Sequence, residues 1–342
     1  MPGQDGQDKL LNEWNISQHS PRSRKGSVAG GDMKIKISAI VGAVVITSIV
    51  IISAFAANTL LVGSSPSNNS ISSSTNTTIN SNVPFATLVG TLSNPHPYYN
   101  SSYGYISPNL WDFTRGGGNV TMSFYSNSSL HTIVHLLNMG SGISIFAYPS
   151  IHFTYNLPMS LQSVYADNLS SFISFDVKKI SPGMGNDIAY DMFLGQNGTL
   201  QYEVEIMLLD NLAGRSYNGT ATSLVTSTNI PIEINGELKD VSWGLYSGNS
   251  ASGTFPSYVF IPSIVTNNST SYKVSFSPFL SFLQNNSKIP SSVSIVRLGI
   301  GSEFSGSAPS HPFTTLNYSF WMQSYFMLNG TKYQVVQPSE AT

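Results

Sequence analysis

Two glutamates stand inside apolar runs, where a charge is costly. The first run is Tyr202-Glu203-Val204-Glu205-Ile206-Met207-Leu208-Leu209. As a strand it puts Glu203, Glu205 and Met207 on one face. Two carboxylates so placed repel and desolvate each other unless that face lines a wet cleft. An ordinary solvent-facing side is the other reading of this run taken alone. The second run, Val296 to Gly306, puts Gly299, Gly301 and Glu303 on one face. Glycines there leave room for a bulky group, such as a sugar ring, to approach the backbone. The alternative is a bulge or close strand packing, with Glu303 at a turn. Together the two runs suggest one chemistry. Cleavage of a glycosidic bond needs one ionised carboxylate as nucleophile and one carboxylic acid as proton donor. Trp111 and Trp243, each isolated in polar, Gly-rich surroundings, offer flat faces for stacking on pyranose rings; core packing is the competing role for a lone Trp.

Such carboxylates are far apart in the chain, so a sheet must bring them together. From Val83 onward the apolar period is two. Val120, Met122 and Phe124 alternate with polar residues, as do Ile173, Phe175 and Val177; Tyr272, Val274 and Phe276; and Leu316, Tyr318, Phe320 and Met322. Turn signals such as Asn197-Gly198, Asn235-Gly236 and Asn329-Gly330 separate the runs. Many short strands with frequent turns predict an all-β fold, a two-sheet antiparallel β-jelly-roll sandwich spanning 83–337. One short helix is predicted at Phe279 to Gln284, with Ser277 as cap and Pro278 in the first helical position.

Bulk composition narrows the partners. Lys and Arg number 15 against 17 Asp and Glu, so no basic surface for nucleic acid is implied. Charged residues make up only 9%, against about 25% in ordinary globular proteins. That scarcity suits an acid-exposed or a heavily glycosylated protein, and both point outside the cell. Sequons occur at Asn76, Asn119, Asn197, Asn218 and Asn329, among others. Cysteine is absent, which removes thiol catalysis and thiolate metal sites. The six His show no helical ligand spacing, so neither a metal nor any other cofactor is expected.

The first part of the chain reads differently. Residues 1–32 are polar and basic, and 33–63 contain an uncharged run from Ile37 to Gly63 long enough to span a bilayer. Arg22, Arg24, Lys25, Lys34 and Lys36 precede it, which puts the N-terminus inside and the remainder outside. A signal peptide starting at Met33 and cleaved after Ala54-Phe55-Ala56 is the other reading. Residues 64–82, rich in Ser, Thr and Asn, form a low-complexity linker. The expected location is extracellular, either secreted or anchored by the N-terminal helix. The expected partners are a polysaccharide substrate and, through that helix, the membrane, and a monomer is expected.

Several segments resemble glycoside hydrolase family 12, the small jelly-roll endo-β-1,4-glucanases, and in particular its archaeal members. Glu205-Ile206-Met207-Leu208-Leu209 matches the family's nucleophile strand, with Leu209 where the family often has Trp. The preceding Tyr is displaced by two residues, which makes Glu203 a rival register; Met207 favours Glu205. Gly301-Ser302-Glu303-Phe304-Ser305-Gly306 matches the acid/base motif without its Pro. Ala189-Tyr190-Asp191-Met192-Phe193 looks like the strand whose Asp sits beside the nucleophile, and Asn109-Leu110-Trp111 like a substrate-subsite motif. Ala147-Tyr148-Pro149 also has a counterpart. The resemblance implies a retaining β-1,4-glucanase, with possible action on xyloglucan or xylan. Glu205 would be its nucleophile, Glu303 its acid/base and Asp191 the neighbour that tunes Glu205. Asn109, Trp111, Met207 and Trp243 make up the expected substrate-binding set. A non-catalytic lectin or adhesin on the same fold is the alternative, and a structural cell-envelope subunit is a third.

Overall fold

The computed structural model describes residues 83–110, 116–140, 144–181, 184–210, 221–250, 254–264, 267–306 and 313–337. The predicted basic segment, membrane-spanning or signal segment and linker, and also Trp111 and Asn218, lie outside these residues. Among the described residues no helix is long and apolar enough to cross a membrane.

The described chain forms nineteen strands and two short helices. The strands are β1 Ala86–Thr91, β2 Tyr99–Ser101, β3 Gly104–Ser107, β4 Gly117–Phe124, β5 Ser129–Gly140, β6 Ser144–Ala147, β7 Ser150–Phe153, β8 Met159–Ser160, β9 Ser170–Ile180 and β10 Met184–Gln196. They continue with β11 Thr199–Asp210, β12 Ala221–Ile234, β13 Glu237–Asn249, β14 Pro256–Pro262, β15 Ser269–Ser275, β16 Ser294–Gly301, β17 Phe304–Gly306, β18 Phe313–Leu328 and β19 Thr331–Tyr333. Helix α1 is Leu161–Ala166 and α2 is Ser277–Asn285.

One layer runs β1–β4–β5–β18–β9–β15. The other runs β2–β3–β7–β16–β10–β11–β14–β13–β12. A short pairing of β12 with β15 links them. The period-two residues read from the sequence supply the space between: Val120, Met122, Phe124, Ile173, Tyr272, Val274, Phe276, Leu316, Tyr318 and Phe320 are all at most 1% exposed. Each such side chain contributes about 1.5–3 kcal/mol of burial, which sets the inward face of every strand and so the register.

The hairpins close where the turn signals stood. Asn197-Gly198, Asn235-Gly236 and Asn329-Gly330 have positive φ at both residues and join β10 to β11, β12 to β13 and β18 to β19. That geometry matches the twist of the flanking strands.

Three expectations need correction. The sheets are not wholly antiparallel, because β11 and β14 run parallel. The chain leaves β11, skips two places in the sheet and returns through the β12–β13–β14 meander, which brings β14 back in the direction of β11. Among the described residues there are two helices rather than one. In α1 the Ser160 hydroxyl accepts from the Ser163 N–H at 3.1 Å, a cap that the short segment hid. In α2 Pro278 does occupy the first turn, but Phe276 is the capping position, with no side-chain cap. Ser277 instead donates to the Val164 carbonyl at 3.2 Å, tying the two helices together.

Candidate active site

In the layer that contains β16, β10 and β11, the face turned away from the core is built from side chains that alternate with the core residues. On β11, Val204 and Ile206 point into the core, so Glu203, Glu205 and Met207 point to the other side. On β10, Tyr190 and Met192 fill the core and leave Ala189, Asp191 and Phe193 on that same side. The register then sets Asp191 directly opposite Glu205, Ala189 opposite Met207, and Phe193 opposite Glu203. On its far side Asp191 faces Gly299, Gly299 faces His152 and His152 faces Tyr105. One row across five strands therefore reads Tyr105, His152, Gly299, Asp191, Glu205.

Glu303 joins this row from the turn after β16. Its N–H donates to Asp187 Oδ1 at 2.8 Å, and its carbonyl accepts from the Asp187 N–H at 3.0 Å. Next to it, Ser302 Oγ donates to the Asp187 carbonyl at 2.7 Å and lies 2.8 Å from the Tyr318 hydroxyl. These bonds hold the turn in place of the family motif's missing Pro.

Five carboxyl groups thus converge: Asp187, Asp191, Glu203, Glu205 and Glu303. Each is held above the ordinary carboxylate range, chiefly by burial. For Glu205 the charges of Glu203, Glu303 and Asp191 add to the rise; for Glu303 those of Asp187, Asp191 and Glu203 do. Glu205 and Glu303 therefore lie within reach of each other's field. Arg297 opposes the rise at Asp191. Oxygens of Asp187, Asp191, Glu203 and Glu205 are buried without accepting a hydrogen bond from the protein. Buried acceptors in that state are rare and costly, and a row of them suits a polar ligand rich in hydroxyls. Tyr148 stands among them, fully protonated because burial and then the neighbouring carboxylates raise its phenol far up; its hydroxyl donates to the Ala189 carbonyl at 3.0 Å.

Of the residues named from sequence, Glu205, Glu303 and Asp191 come together. Asn109 lies beside them: its carbonyl accepts from the Tyr148 N–H at 3.0 Å, and its Oδ1 is buried without a protein partner. Met207 shares the face but is fully covered, packed with Ala189 and Val259. Trp243 must be corrected. It lies on the core side of β13, 0% exposed, with Nε1 donating to the Ile230 carbonyl at 3.0 Å and its ring edge-on to Phe279, so no sugar can stack on it. The room at the two glycines is also taken. A Cβ at Gly299 would stand 3.0 Å from the His152 ring, and one at Gly301 would stand 2.5 Å from the Pro149 carbonyl. Close strand packing, not sugar approach, explains both.

Sequence reasoning missed Asp187 and Arg297. Each shares the alternation parity of a residue it did single out, Asp191 and Gly299 respectively, and this was the available signal.

The raised carboxyls make a stability prediction. Glu203 is pushed up to about 7 by burial, opposed by the Ser257 hydroxyl alongside. In the unfolded chain a Glu titrates near ~4.3. Between those values the folded state keeps a proton that the unfolded state releases, so stability falls as pH rises through that window. The other four groups act with the same sign. Thermal unfolding followed from pH 3 to 8 should show its highest midpoint near the acid end of the window and a decline toward neutral, less steep in Glu203→Gln. A midpoint that climbs toward neutral contradicts this.

Asp187→Asn should act on the carboxyl group of Glu303. It removes a negative charge that raises the Glu303 pKa, so the alkaline limb of any activity profile should move to lower pH, while the amide oxygen can still accept from the Glu303 N–H. An unmoved limb would show that Asp187 carries no charge in the active form.

A β-sandwich with a buried carboxylate row on the outward face of one sheet is the class these elements define. Solved structures share the β-sandwich fold, at identities that bear on fold alone. A family 12 xyloglucanase from Bacillus licheniformis matches with a TM-score of 0.53 and 18% identity, over 71% of this chain and 100% of the other. The catalytic domain of Humicola grisea Cel12A matches at 0.52 and 16%, over 71% and 98%. Among curated proteins, the probable xyloglucan-specific endo-β-1,4-glucanase A of Aspergillus flavus is 32% identical over 136 residues, 39% of this chain and 50% of its own; the protein of the same description from Aspergillus oryzae matches equally. The chain therefore spans about half the length of the curated relatives it matches. No family model matches the chain. The fold is that of glycoside hydrolase family 12, and the resemblance read from the sequence to that family stands.

Proposed function

We propose that this chain is a retaining endo-β-1,4-glucanase in which Glu205 attacks the anomeric carbon and Glu303 protonates the leaving oxygen. The observation that carries it is the convergence of Glu205, Glu303 and Asp191 from three separate chain segments, close enough for the Glu303 and Asp191 charges to act on Glu205. Glu303 is suited to hold a proton because burial and the Asp187, Asp191 and Glu203 charges all favour its neutral form. Once the leaving sugar departs with that proton, ionised Glu303 takes one from water, which then releases the glycosyl group from Glu205. This double displacement calls for a carboxyl separation of about 5–5.5 Å.

The five carboxyls cannot all ionise together, and their protons are shared as a set. Glu205 becomes a nucleophile only while neighbours hold theirs. Asp191, directly opposite Glu205, is placed to keep such a proton and to orient the attacking oxygen. Asn109 and Trp111 would bind a glucosyl unit beside the cleaved bond.

The substrate is a β-1,4-linked glucan. The relatives' descriptions make xyloglucan the first to test beside cellulose and mixed-linkage glucan, with xylan a further candidate. The N-terminal segment would export the chain and either tether it outside the cell or be removed.

The test is reducing-sugar release by the full chain from carboxymethyl cellulose, mixed-linkage glucan, xyloglucan and xylan. Release of internal fragments from at least one glucan is the expected result. Binding to a glucan with no release from any would favour the lectin reading.

A further inference from the structure

A cavity of about 560 Å³ opens beside the first residues of β11 and the segment that follows α2. Its volume falls within the range of about 300–1,000 Å³ found for small-ligand sites. Tyr202, Gln284, Lys288, Pro290 and the hydroxyls of Ser287 and Ser291 line it. It is separate from the carboxylate site. Tyr202 directly precedes Glu203 in the strand, so their side chains leave opposite faces of the sheet. Tyr202 takes the core side, paired with Leu194 and packed partly against the core.

The walls are fixed by the fold. The Lys288 N–H donates to the Leu283 carbonyl at 2.8 Å, and the Ser287 N–H to the Gln284 carbonyl at 3.0 Å. The Lys288 carbonyl accepts from the Tyr258 hydroxyl at 3.2 Å. Tyr258 also lies alongside Tyr202, with centroids 6.5 Å apart and planes 21° from parallel. One tyrosine thus braces both the aromatic side of the cavity and the loop across from it. The polar groups at the rim are left over from this framework. Gln284 accepts from the Tyr165 hydroxyl through Oε1 at 2.9 Å, which leaves its amide nitrogen for a ligand. Among the described residues Lys288 has no carboxylate partner, and no acidic side chain lines the cavity. Tyr202 and Lys288 are half-buried, while Ser287, Pro290 and Ser291 are exposed, so solvent reaches the rim.

This set of groups has a matching ligand chemistry. A pyranose carries C–H groups on its faces and hydroxyls around its edge. The Tyr202 ring and Pro290 suit the first; the two serine hydroxyls, the Gln284 amide and the Lys288 ammonium suit the second. A small anion would leave the ring and the proline unused. We infer that the cavity is a second glucan-binding site, which holds a glucosyl unit of the polysaccharide against Tyr202, away from the linkage being cleaved. The choice of ligand rests on the glucan reading of the carboxylate site. The cavity takes no part in the hydrolytic steps, because it opens on the other face of the sheet. Its effect is on polymer: two contacts with one chain hold it more tightly than either alone, whereas a short oligosaccharide in the cleft gains nothing from it.

The test is affinity electrophoresis of the full chain through gels containing xyloglucan, mixed-linkage glucan or hydroxyethyl cellulose, with Glu205→Gln in every sample to prevent cleavage. Tyr202→Leu removes the ring and should weaken binding to at least one of these polymers about tenfold. Lys288→Ala truncates a side chain outside the core and should weaken it about threefold, the effect of one lost hydrogen bond. With Glu205 intact, KM and kcat on cellotetraose should stay within about twofold of the wild type in both variants, since the cleft is untouched. A loss confined to polymer supports the second site. Unchanged retardation of both variants overturns it, as does a wild type that no gel retards. An equal loss on polymer and on cellotetraose, in variants that melt like the wild type, also overturns it. If Tyr202→Leu melts early, Lys288→Ala decides alone. Glucan hydrolysis by the wild type together with unchanged retardation of the variants leaves the hydrolase reading standing and removes the second site. No hydrolysis of any glucan, with retardation that the variants still relieve, does the reverse.

Discussion

Glu205→Gln and Glu303→Gln should each bring glucan hydrolysis down by a factor of about a hundred to ten thousand or more, the range attached to loss of a positioned acid, base or nucleophile. The folded protein should not suffer. Both carboxyls are held above their ordinary range by burial and by neighbouring negative charge, so at pH 7 each ionised form is disfavoured by the fold. An amide of the same shape removes that penalty. Midpoints of thermal unfolding at pH 7 should therefore equal or exceed the wild-type value even as activity disappears. The two variants should also differ from each other. Glu303→Gln should retain more activity on an aryl glucoside whose leaving group needs no proton, because only the acid is lost. Glu205→Gln should stay inactive on it, because nothing attacks. Full activity in either variant on β-glucan would remove the enzyme assignment, and equal behaviour of both on the activated substrate would remove the division of roles.

The second large effect lies in stability. Trp243 was a candidate for sugar stacking, but its ring is sealed in the core against Phe279, and Nε1 satisfies the Ile230 carbonyl. Replacing it by Ala removes the largest side chain that is fully buried among the described residues. It also leaves a buried carbonyl without its donor. Large-to-small changes of this kind cost about 3–5 kcal/mol, which for a domain of this size lowers the unfolding midpoint by roughly 10 °C. Trp243→Phe keeps most of the ring and should cost less than half as much. In both, KM for β-glucan measured well below the midpoint should stay near the wild-type value. A large rise in KM with no change in melting would restore the stacking role.

Trp243 faces the core although its chain neighbours are small and polar. Its neighbours Ser242 and Gly244 are polar and small, which suggested a cleft wall. In a strand, however, neighbours point to the opposite face, so they report on the other side of the sheet. Residues Val241 and Leu245, two positions away on each side and both buried, carried the correct signal. The glycines at 299 and 301 show the same limit. A missing side chain says that something comes close, but not whether it is a ligand or the next strand. Here the occupants are His152, Pro149 and Ser150.

What the sequence by itself determined was the fold class, the inward face of most strands, the hairpin turns and the pair of glutamates. These follow from period-two burial and from local turn chemistry, both of which act between near neighbours in the chain. Only the tertiary structure decided which strands lie side by side. That choice put Asp191 opposite Glu205, drew Asp187 against Glu303, turned Trp243 inward and lined His152 up with the carboxylates. The order of strands in a sheet is set by long-range packing and by connections that skip places, as between β11 and β12, and no local pattern encodes it. Charges that raise one another's pKa can be recognised as a site only once that order has placed them within a few ångströms.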